Sequence, residues 1–195
     1  MLETTIALIL FLFPLAYSPG PGNVFFAANS ARFGFCATVP ANAGYHIATW
    51  IMTAAIGFGF LAALERFPQI FVGLKVAGSL YVLWLAWKML RAGAMSGAAD
   101  ARPARFVDGA LLLVLNPKAY VIIALMFTQF LQASDVWAVV LITTVFTLNN
   151  LVAFSAWALV GDRIAVYFRT PQSARQLNTG FGAILSGVAV WMLLS

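Results

Sequence analysis

Apolar residues occupy this chain in long runs, and the polar residues between them fall into short, separate groups. A helix needs about 20 mostly apolar residues to cross a bilayer, and six runs reach that length. The predicted spans cover about 5–31, 38–64, 68–90, 106–131, 136–161 and 177–194. The stretch 92–105, rich in Gly, Ala, Ser, Asp, Arg and Pro, is the predicted linker between two groups of three spans. The pattern therefore predicts an all-α integral membrane protein with one transmembrane domain, 1–195.

The two halves of the chain, about 1–91 and 106–195, share several features. Each has three predicted spans and opens with a span that is interrupted by Pro. Gly78 precedes Trp87 by nine residues in span three, and Gly182 precedes Trp191 by the same interval in span six. Because an odd number of spans reverses the second half, the halves would be inverted three-helix repeats, a common transporter plan. The alternative is coincidence in a chain rich in Gly and Trp.

Composition supports the membrane class and excludes several others. Hydrophobic residues make up 63% of the chain and charged residues only 9%, against roughly a quarter charged in an ordinary soluble protein. Cys36 is the only cysteine, so no internal disulfide can form. One His and one Cys are too few ligands for a metal site, and we expect neither metal nor cofactor. The net charge of +5 requires no nucleic-acid partner, because cytoplasmic loops are normally enriched in Lys and Arg.

The basic residues fall mainly on one side of the predicted topology. Loops after spans one, three and five contain eight Lys or Arg residues, whereas the opposite side has Arg66 and Lys75. This bias places those three loops in the cytoplasm and both termini on the outer face. Residues 1–5 contain no Lys or Arg, so we expect 1–18 to belong to the first span rather than to a cleavable signal peptide.

Spans one and four contain breaks that suggest a binding site. With a rise of 1.5 Å per residue, the two breaks would enter from opposite faces and meet near the middle of a core about 30 Å thick. Proline removes a backbone donor and frees the carbonyl four residues earlier, so we expect free backbone groups that bind a polar ligand. The alternatives are a kink used only for packing and, for Lys118, a side chain that extends to the membrane surface. The candidate substrate-binding residues here are Ser18, Pro19, Gly20, Pro21, Gly22, Asn23, Asn116, Pro117 and Lys118.

Two further spans have polar stripes at helical spacing. Asn42, His46, Thr49 and Thr53 share one face of span two, and Thr143, Thr147 and Asn150 share one face of span five. Hydrogen bonds between helices would explain both stripes without a substrate, and we favour that reading for the Thr residues. Asn42 and Asn150 complete the candidate substrate site. His46 is the candidate for proton coupling, because histidine alone titrates near neutral pH by default; the alternative is a neutral, hydrogen-bonded histidine.

Three motifs together resemble the LysE/RhtB family of amino-acid exporters. They are Ser18-Pro-Gly-Pro-Gly-Asn23, Leu115-Asn116-Pro117-Lys118-Ala119, and Gly78-Ser-Leu-Tyr81 with Trp84-Leu-Ala-Trp87-Lys88. The resemblance covers nearly the whole chain. It implies a bacterial inner-membrane exporter of amino acids or close derivatives, driven by an ion gradient, with both breaks lining the transport site. Trp84 to Lys88 and Arg175-Gln-Leu-Asn178 look more like the branch that exports cysteine and O-acetylserine, so small neutral amino acids are the expected substrates.

One departure from the family bears on coupling. Members often carry an acidic residue in span two, where this chain has Thr49 when Gly44 is aligned to the family glycine. Proton coupling through that carboxylate is therefore unavailable, and a cationic substrate loses its likeliest partner. The expected coupling ion is still the proton. A homo-oligomer stays open, since Ala183-x-x-x-Gly187 fits helix packing within the chain or between copies.

Two other function classes compete with secondary efflux. A membrane enzyme needs a nucleophile with its base, or a set of carboxylates, and Asp108 is the only acid within a predicted span. A passive assembly subunit would leave the two breaks and Lys118 unexplained. We therefore expect a transporter that is not an enzyme, with another small metabolite as the alternative substrate class.

Overall fold

The computed structural model describes residues 2–18, 20–60, 102–131, 136–165 and 171–194, together with residues 76, 77, 80, 81, 83, 84, 86, 87, 90 and 91. The helices are α1 (Leu2–Tyr17), α2 (Pro21–Phe33), α3 (Phe35–Ala55), α4 (Phe106–Val114), α5 (Pro117–Phe130), α6 (Val136–Ala165) and α7 (Pro171–Leu194). A π-helical turn, Ile56–Phe60, extends α3. All regular structure in these ranges is helical, which confirms the predicted all-α class.

Membrane-crossing capacity varies among the described helices. By length and composition, α6 can cross a bilayer alone, with 30 residues and a mean hydropathy of 1.8. Two bent pairs, α1 with α2 and α4 with α5, qualify if each pair is one broken span, and the second bend is 63°. The described residues thus provide up to three such spans, and six spans remain a prediction. Helix α3 is not among these candidate spans. Its apolar sequence is interrupted by Asn42, Tyr45 and His46.

The helix bounds differ from the predicted spans in several places. Helix α7 begins at Pro171, not near 177, so Arg175 lies on the helix and not in a loop. Proline suits this position, because the first helical residue needs no N–H partner. The predicted third span and the linker lie mostly outside the described residues, and with them the Gly78–Trp87 half of the repeat comparison.

Helix α2 lies at the centre of the described structure. Every residue from Pro21 to Ser30 is buried, and α2 packs most extensively against α6. The two backbones approach closely at Gly161, where an added Cβ would lie 2.0 Å from the Ala27 carbonyl oxygen. Because other helices surround α2, its polar residues are buried along with its apolar ones.

A second close approach joins α3 to α4. A Cβ at Gly44 would lie 1.9 Å from the Phe106 carbonyl oxygen, and one at Gly109 would lie 1.9 Å from that of Ala41. Asp108 holds the start of α4, accepting from the Arg105 backbone N–H at 2.8 Å. These contacts place α4 directly against α3.

Candidate functional site

The end of α1 has four carbonyls, Leu15 to Ser18, in the region where a helix lacks intrahelical partners. Each accepts a hydrogen bond from a side chain. The donors are Ser18 Oγ to Leu15 (3.1 Å), Asn23 Nδ2 to Ala16 (2.9 Å), Trp157 Nε1 to Tyr17 (3.1 Å) and Lys118 Nζ to Ser18 (3.3 Å). We expected free carbonyls at this break; in the structure these four are occupied. Their donors come from three other helices and from Ser18 itself.

Lys118 connects the two breaks. Its ammonium donates to the Ser18 hydroxyl at 2.9 Å, in addition to the Ser18 carbonyl. Gly20 leaves room for it, since a Cβ there would lie 3.0 Å from Nζ. Within the described residues the one ion pair joins Arg102 to Asp108, so no described carboxylate neutralises Lys118. The ammonium is half-buried and held by neutral oxygens, which a carboxylate could replace as a stronger partner.

Asn116 holds the start of α5. Its Oδ1 accepts from the Lys118 backbone N–H at 3.1 Å, and its Nδ2 donates to the Tyr45 hydroxyl at 3.1 Å. The Asn150 side chain lies beside the same hydroxyl. Tyr45 therefore joins α3, α5 and α6 at one buried point, and Asn116 serves as a helix cap as well as a cavity residue.

An aromatic cluster packs around the Tyr45 side chain. The rings of Tyr45 and Phe154 lie 4.7 Å apart, and Phe26 lies 5.4 Å from Phe154 and 5.9 Å from Tyr45. Gly22 permits this packing, because a Cβ there would lie 2.5 Å from the Phe154 ring. The start of α2 is consequently pressed against an aromatic wall.

A small cavity lies where these elements meet. Its volume is about 20 Å³, which is room for about one water molecule. Six predicted site residues line it: Pro21, Gly22, Asn23, Asn116, Lys118 and Asn150. Leu15, Ile122 and Phe146 contribute apolar walls. An amino acid needs several times this volume, so the cavity must widen before it can hold one.

The other predicted site residues lie around the cavity rather than in its lining. Ser18 and Gly20 contact Lys118, and Pro117 is the first residue of α5. Asn42 donates to Ser155 Oγ at 3.3 Å on the α3–α6 contact. His46 also lies there, with its Nδ1 atom 2.8 Å from the Asn42 carbonyl oxygen. Pro19 lies outside the described residues.

The sequence did not identify three residues of this site: Tyr45, Phe154 and Trp157. Tyr45 follows Asn42 by three residues and shares its face of α3, but an aromatic residue in an apolar span has no distinctive pattern. Phe154 follows Asn150 by four residues, a spacing that places both on one helical face. Potential metal ligands do not cluster in the described part of the chain, where no three His, Cys, Asp or Glu residues come together.

Helices that are interrupted beside a buried polar cavity are common in membrane transporters. This chain belongs to the LysE type translocator family, whose family model matches residues 13–195. Its class is therefore transport and not catalysis, as the sequence predicts.

Two curated relatives illustrate the similarity. The chain is 27% identical over 182 residues to the homoserine/homoserine lactone efflux protein of Salmonella typhimurium, covering 87% of this chain and 86% of that protein. It is 29% identical over 184 residues to the cysteine/O-acetylserine efflux protein of Escherichia coli K12, covering 90% of each. No solved structure matches the chain.

Proposed function

We propose that this protein exports small neutral amino acids or their close derivatives across the bacterial inner membrane by alternating access. The substrate site is the cavity between the α1–α2 break and the start of α5. The observation that carries the proposal is the half-buried Lys118 ammonium, which neutral oxygens hold at the meeting point of two helix breaks. Proton antiport through His46 supplies the driving force.

The substrate carboxylate binds Lys118 in this proposal. Helix α2 also directs its N-terminus towards the cavity, and its N-cap Gly20 provides no side-chain cap. The first N–H groups of a helix lack intrahelical partners and favour negative charge. A carboxylate at this position would displace the Ser18 oxygens from Lys118 and gain a charged hydrogen bond.

The remaining lining favours a neutral side chain on the substrate. The described cavity residues include the Asn23 and Asn150 amides but no Asp or Glu. Amide and carbonyl oxygens can accept from the substrate ammonium, whereas a second cationic group would have no carboxylate partner. Leu15, Ile122 and Phe146 leave an apolar space for a short side chain. One curated relative is named for efflux of homoserine and homoserine lactone, and the other for efflux of cysteine and O-acetylserine.

The symmetry of the two breaks supports alternating access. Both α2 and α5 have Pro at the first position, and each follows a break bent by more than 40°. Inverted repeats give a transporter two conformations of similar energy, in which the site opens to opposite faces. The cavity of about 20 Å³ then belongs to a closed state between them.

Counterflow in proteoliposomes tests this function. Vesicles are loaded with unlabelled amino acids, and labelled cysteine, O-acetylserine or homoserine is added outside. We expect uptake that requires internal substrate, without any imposed ion gradient. Lys118→Gln removes the charged hydrogen bond, worth about 1.5–3 kcal/mol, and should reduce the apparent affinity by roughly 10- to 150-fold.

Arg175→Gln is the matched control, since Arg175 is exposed on α7 and loses the same type of charge. If Lys118→Gln showed the same counterflow as wild type, Lys118 would not be a substrate-binding residue. No counterflow with any amino acid, from folded protein, would direct the search to other small metabolites.

A further inference from the structure

Three apolar residues of the cavity lining come from three different helices. They are Leu15 on α1, Ile122 on α5 and Phe146 on α6. Each lies about one helical turn from a polar residue of the candidate site, because residues three or four apart share a helical face. The polar residues in this relation are Ser18, Lys118 and Asn150.

Contacts between α1 and α5 show that these two helices run antiparallel. Ser18, at the end of α1, contacts Lys118 at the start of α5. The Phe11 ring, further back on α1, lies 5.5 Å from the ring of Phe130, the last residue of α5. One turn back along α1 therefore corresponds to one turn forward along α5. The apolar lining residues of these two helices consequently lie on the same side of the Ser18–Lys118 contact.

Helix α6 runs in the same direction as α1. The Trp157 indole donates to the Tyr17 carbonyl at 3.1 Å. Earlier in both helices, Phe146 and Ile142 share one buried apolar cluster with Leu12. One turn back along α6 therefore lies on the same side of the site as one turn back along α1.

Leu15, Ile122 and Phe146 thus lie together at one end of the cavity, which we call the apolar end. Ile122 and Phe146 belong to the same buried cluster, and Leu15 packs against it. Tyr45 and Phe154, which also line the cavity, belong to a different cluster. The cavity therefore lies between two apolar clusters, with Lys118 at its opposite, polar end.

The apolar end offers no hydrogen-bond partner from the three side chains that form it, since Leu, Ile and Phe have neither donors nor acceptors. The nearest polar groups already have neighbours of their own. The Leu15 carbonyl accepts from the Ser18 hydroxyl at 3.1 Å. The Asn150 side chain lies beside the Tyr45 hydroxyl. A substrate hydroxyl at this end would leave water without gaining a partner, whereas a thiol behaves as a small apolar group.

The apolar end is also held in place. Ile122 is β-branched, which leaves one strongly preferred χ1 rotamer in a helix. Phe146 is 2% exposed and Ile122 8%, so neither side chain can turn aside without disturbing the cluster around it. A carboxylate that replaces the Ser18 oxygens on Lys118 would enlarge the cavity at the polar end and leave the apolar end as it is.

We propose that the apolar end receives the substrate side chain and selects thiol and alkyl side chains over hydroxyl side chains. The proposal rests on the proposed export function, and in particular on a substrate carboxylate at Lys118. With the carboxylate there, the side chain of the amino acid extends along α5 towards Ile122. Cysteine therefore fits the site better than homoserine, because a thiol is only a weak hydrogen-bonding group.

Competition by isosteric amino acids tests this selectivity in the wild-type protein. Proteoliposomes are loaded with unlabelled cysteine, and uptake of labelled cysteine is measured with a competitor outside. Norvaline and homoserine differ only by a terminal methyl or hydroxyl group, as do 2-aminobutyrate and serine. An apolar pocket discriminates between such isosteres by up to about 100-fold, so we expect the alkyl member of each pair to inhibit at roughly 10- to 100-fold lower concentration.

Two results would contradict the proposal in different ways. Inhibition by homoserine and serine that equals or exceeds that of their alkyl isosteres would overturn the selectivity and leave the export function standing. Absent counterflow with every amino acid, from folded protein, would overturn the export function and this proposal with it.

The variants Ile122→Thr and Ile122→Val locate the selectivity. Because Thr and Val are isosteric, the two variants differ only in whether the apolar end contains a hydroxyl group. One hydrogen bond gained by homoserine should reduce the preference for norvaline by about 2- to 12-fold in Ile122→Thr relative to Ile122→Val. The same pair of substitutions at Ile123 is the matched control, because Ile123 belongs to the same buried cluster but does not line the cavity.

Equal preferences in Ile122→Thr and Ile122→Val would overturn the apolar end as the selective element, and so would an equal shift in the Ile123 pair. If Ile122→Thr fails to fold, the competition in the wild-type protein still decides the proposal.

Discussion

Gly161→Ala is a sharp test of how α2 is held at the centre. The added Cβ would lie 2.0 Å from the Ala27 carbonyl oxygen, whereas non-bonded carbon and oxygen atoms approach to about 3.3 Å. The obstacle is backbone, which no rotamer change can remove. Helices α2 and α6 would therefore separate by about 1.3 Å, the difference between those two distances.

The expected cost follows from two opposing terms. Overpacking costs about 1–3 kcal/mol, and replacing a helical Gly by Ala returns about 0.5–1 kcal/mol. The midpoints of the two terms leave a net loss of about 1 kcal/mol, which corresponds to a melting temperature about 2–4 °C lower in a chain of this length. The assay is thermal unfolding of purified protein in detergent, followed by intrinsic tryptophan fluorescence.

Gly187→Ala provides the control, because a Cβ there meets no described atom within 4 Å. It should stabilise α7 by about 0.5–1 kcal/mol through helix propensity alone. The two substitutions are chemically identical and opposite in expected sign. A melting temperature for Gly161→Ala at or above wild type would refute the close approach of α2 and α6.

Two further substitutions test contacts that hold the site. Tyr45→Phe removes the hydroxyl that accepts from Asn116, leaving a buried amide group unpaired at a cost of about 1–3 kcal/mol; both melting temperature and counterflow should fall, and unchanged values would contradict this contact. Asp162→Ala removes the acceptor for the first N–H of α3 and should cost about 0.5–2 kcal/mol, as for a lost helix cap. Asp162→Asn keeps an oxygen acceptor and should recover most of that loss in the same melting assay, whereas equal losses would assign Asp162 another role.

The positions of the breaks could be predicted because their causes are local. Helix α1 ends at Tyr17 and α2 begins at Pro21, while α4 ends at Val114 and α5 begins at Pro117. Proline lacks an N–H group and restricts the residue before it, whatever the tertiary structure. The burial of the polar stripes followed from helical spacing in the same local way.

The partners at the breaks could not be predicted, because they come from distant parts of the chain. Trp157 donates to a carbonyl 140 residues earlier, and Lys118 to one 100 residues earlier. Only the packing of α6 and α5 against α1 brings these donors to the freed carbonyls. The expectation of free carbonyls was wrong for this reason: the local rule identifies the vacant acceptors, and tertiary structure decides what fills them.

The start of α7 shows the opposite limitation. Residues 171–176 are polar, and hydropathy alone marked them as loop. A proline at the first position and good helix-forming residues after it extend the helix to Pro171. Hydropathy indicates whether a segment lies in lipid or in water. Proline position and helix propensity indicate where the backbone hydrogen bonds of a helix begin.

The four occupied carbonyls at the end of α1 have a consequence for the speed of transport. Their donors are Ser18 and residues of α2, α5 and α6, so none of these helices can slide past α1 without breaking a hydrogen bond in a medium that offers few replacements. Intermediate positions of these helices would leave the carbonyls unpaired, at a cost of several kcal/mol each in a lipid environment. Movement of these helices relative to α1 should therefore occur in discrete steps. The slow step of a transport cycle should be the arrival of a substrate that can replace one of the broken hydrogen bonds. A carrier without substrate should change conformation rarely. Exchange of substrate across the membrane should therefore be faster than the return of the empty carrier.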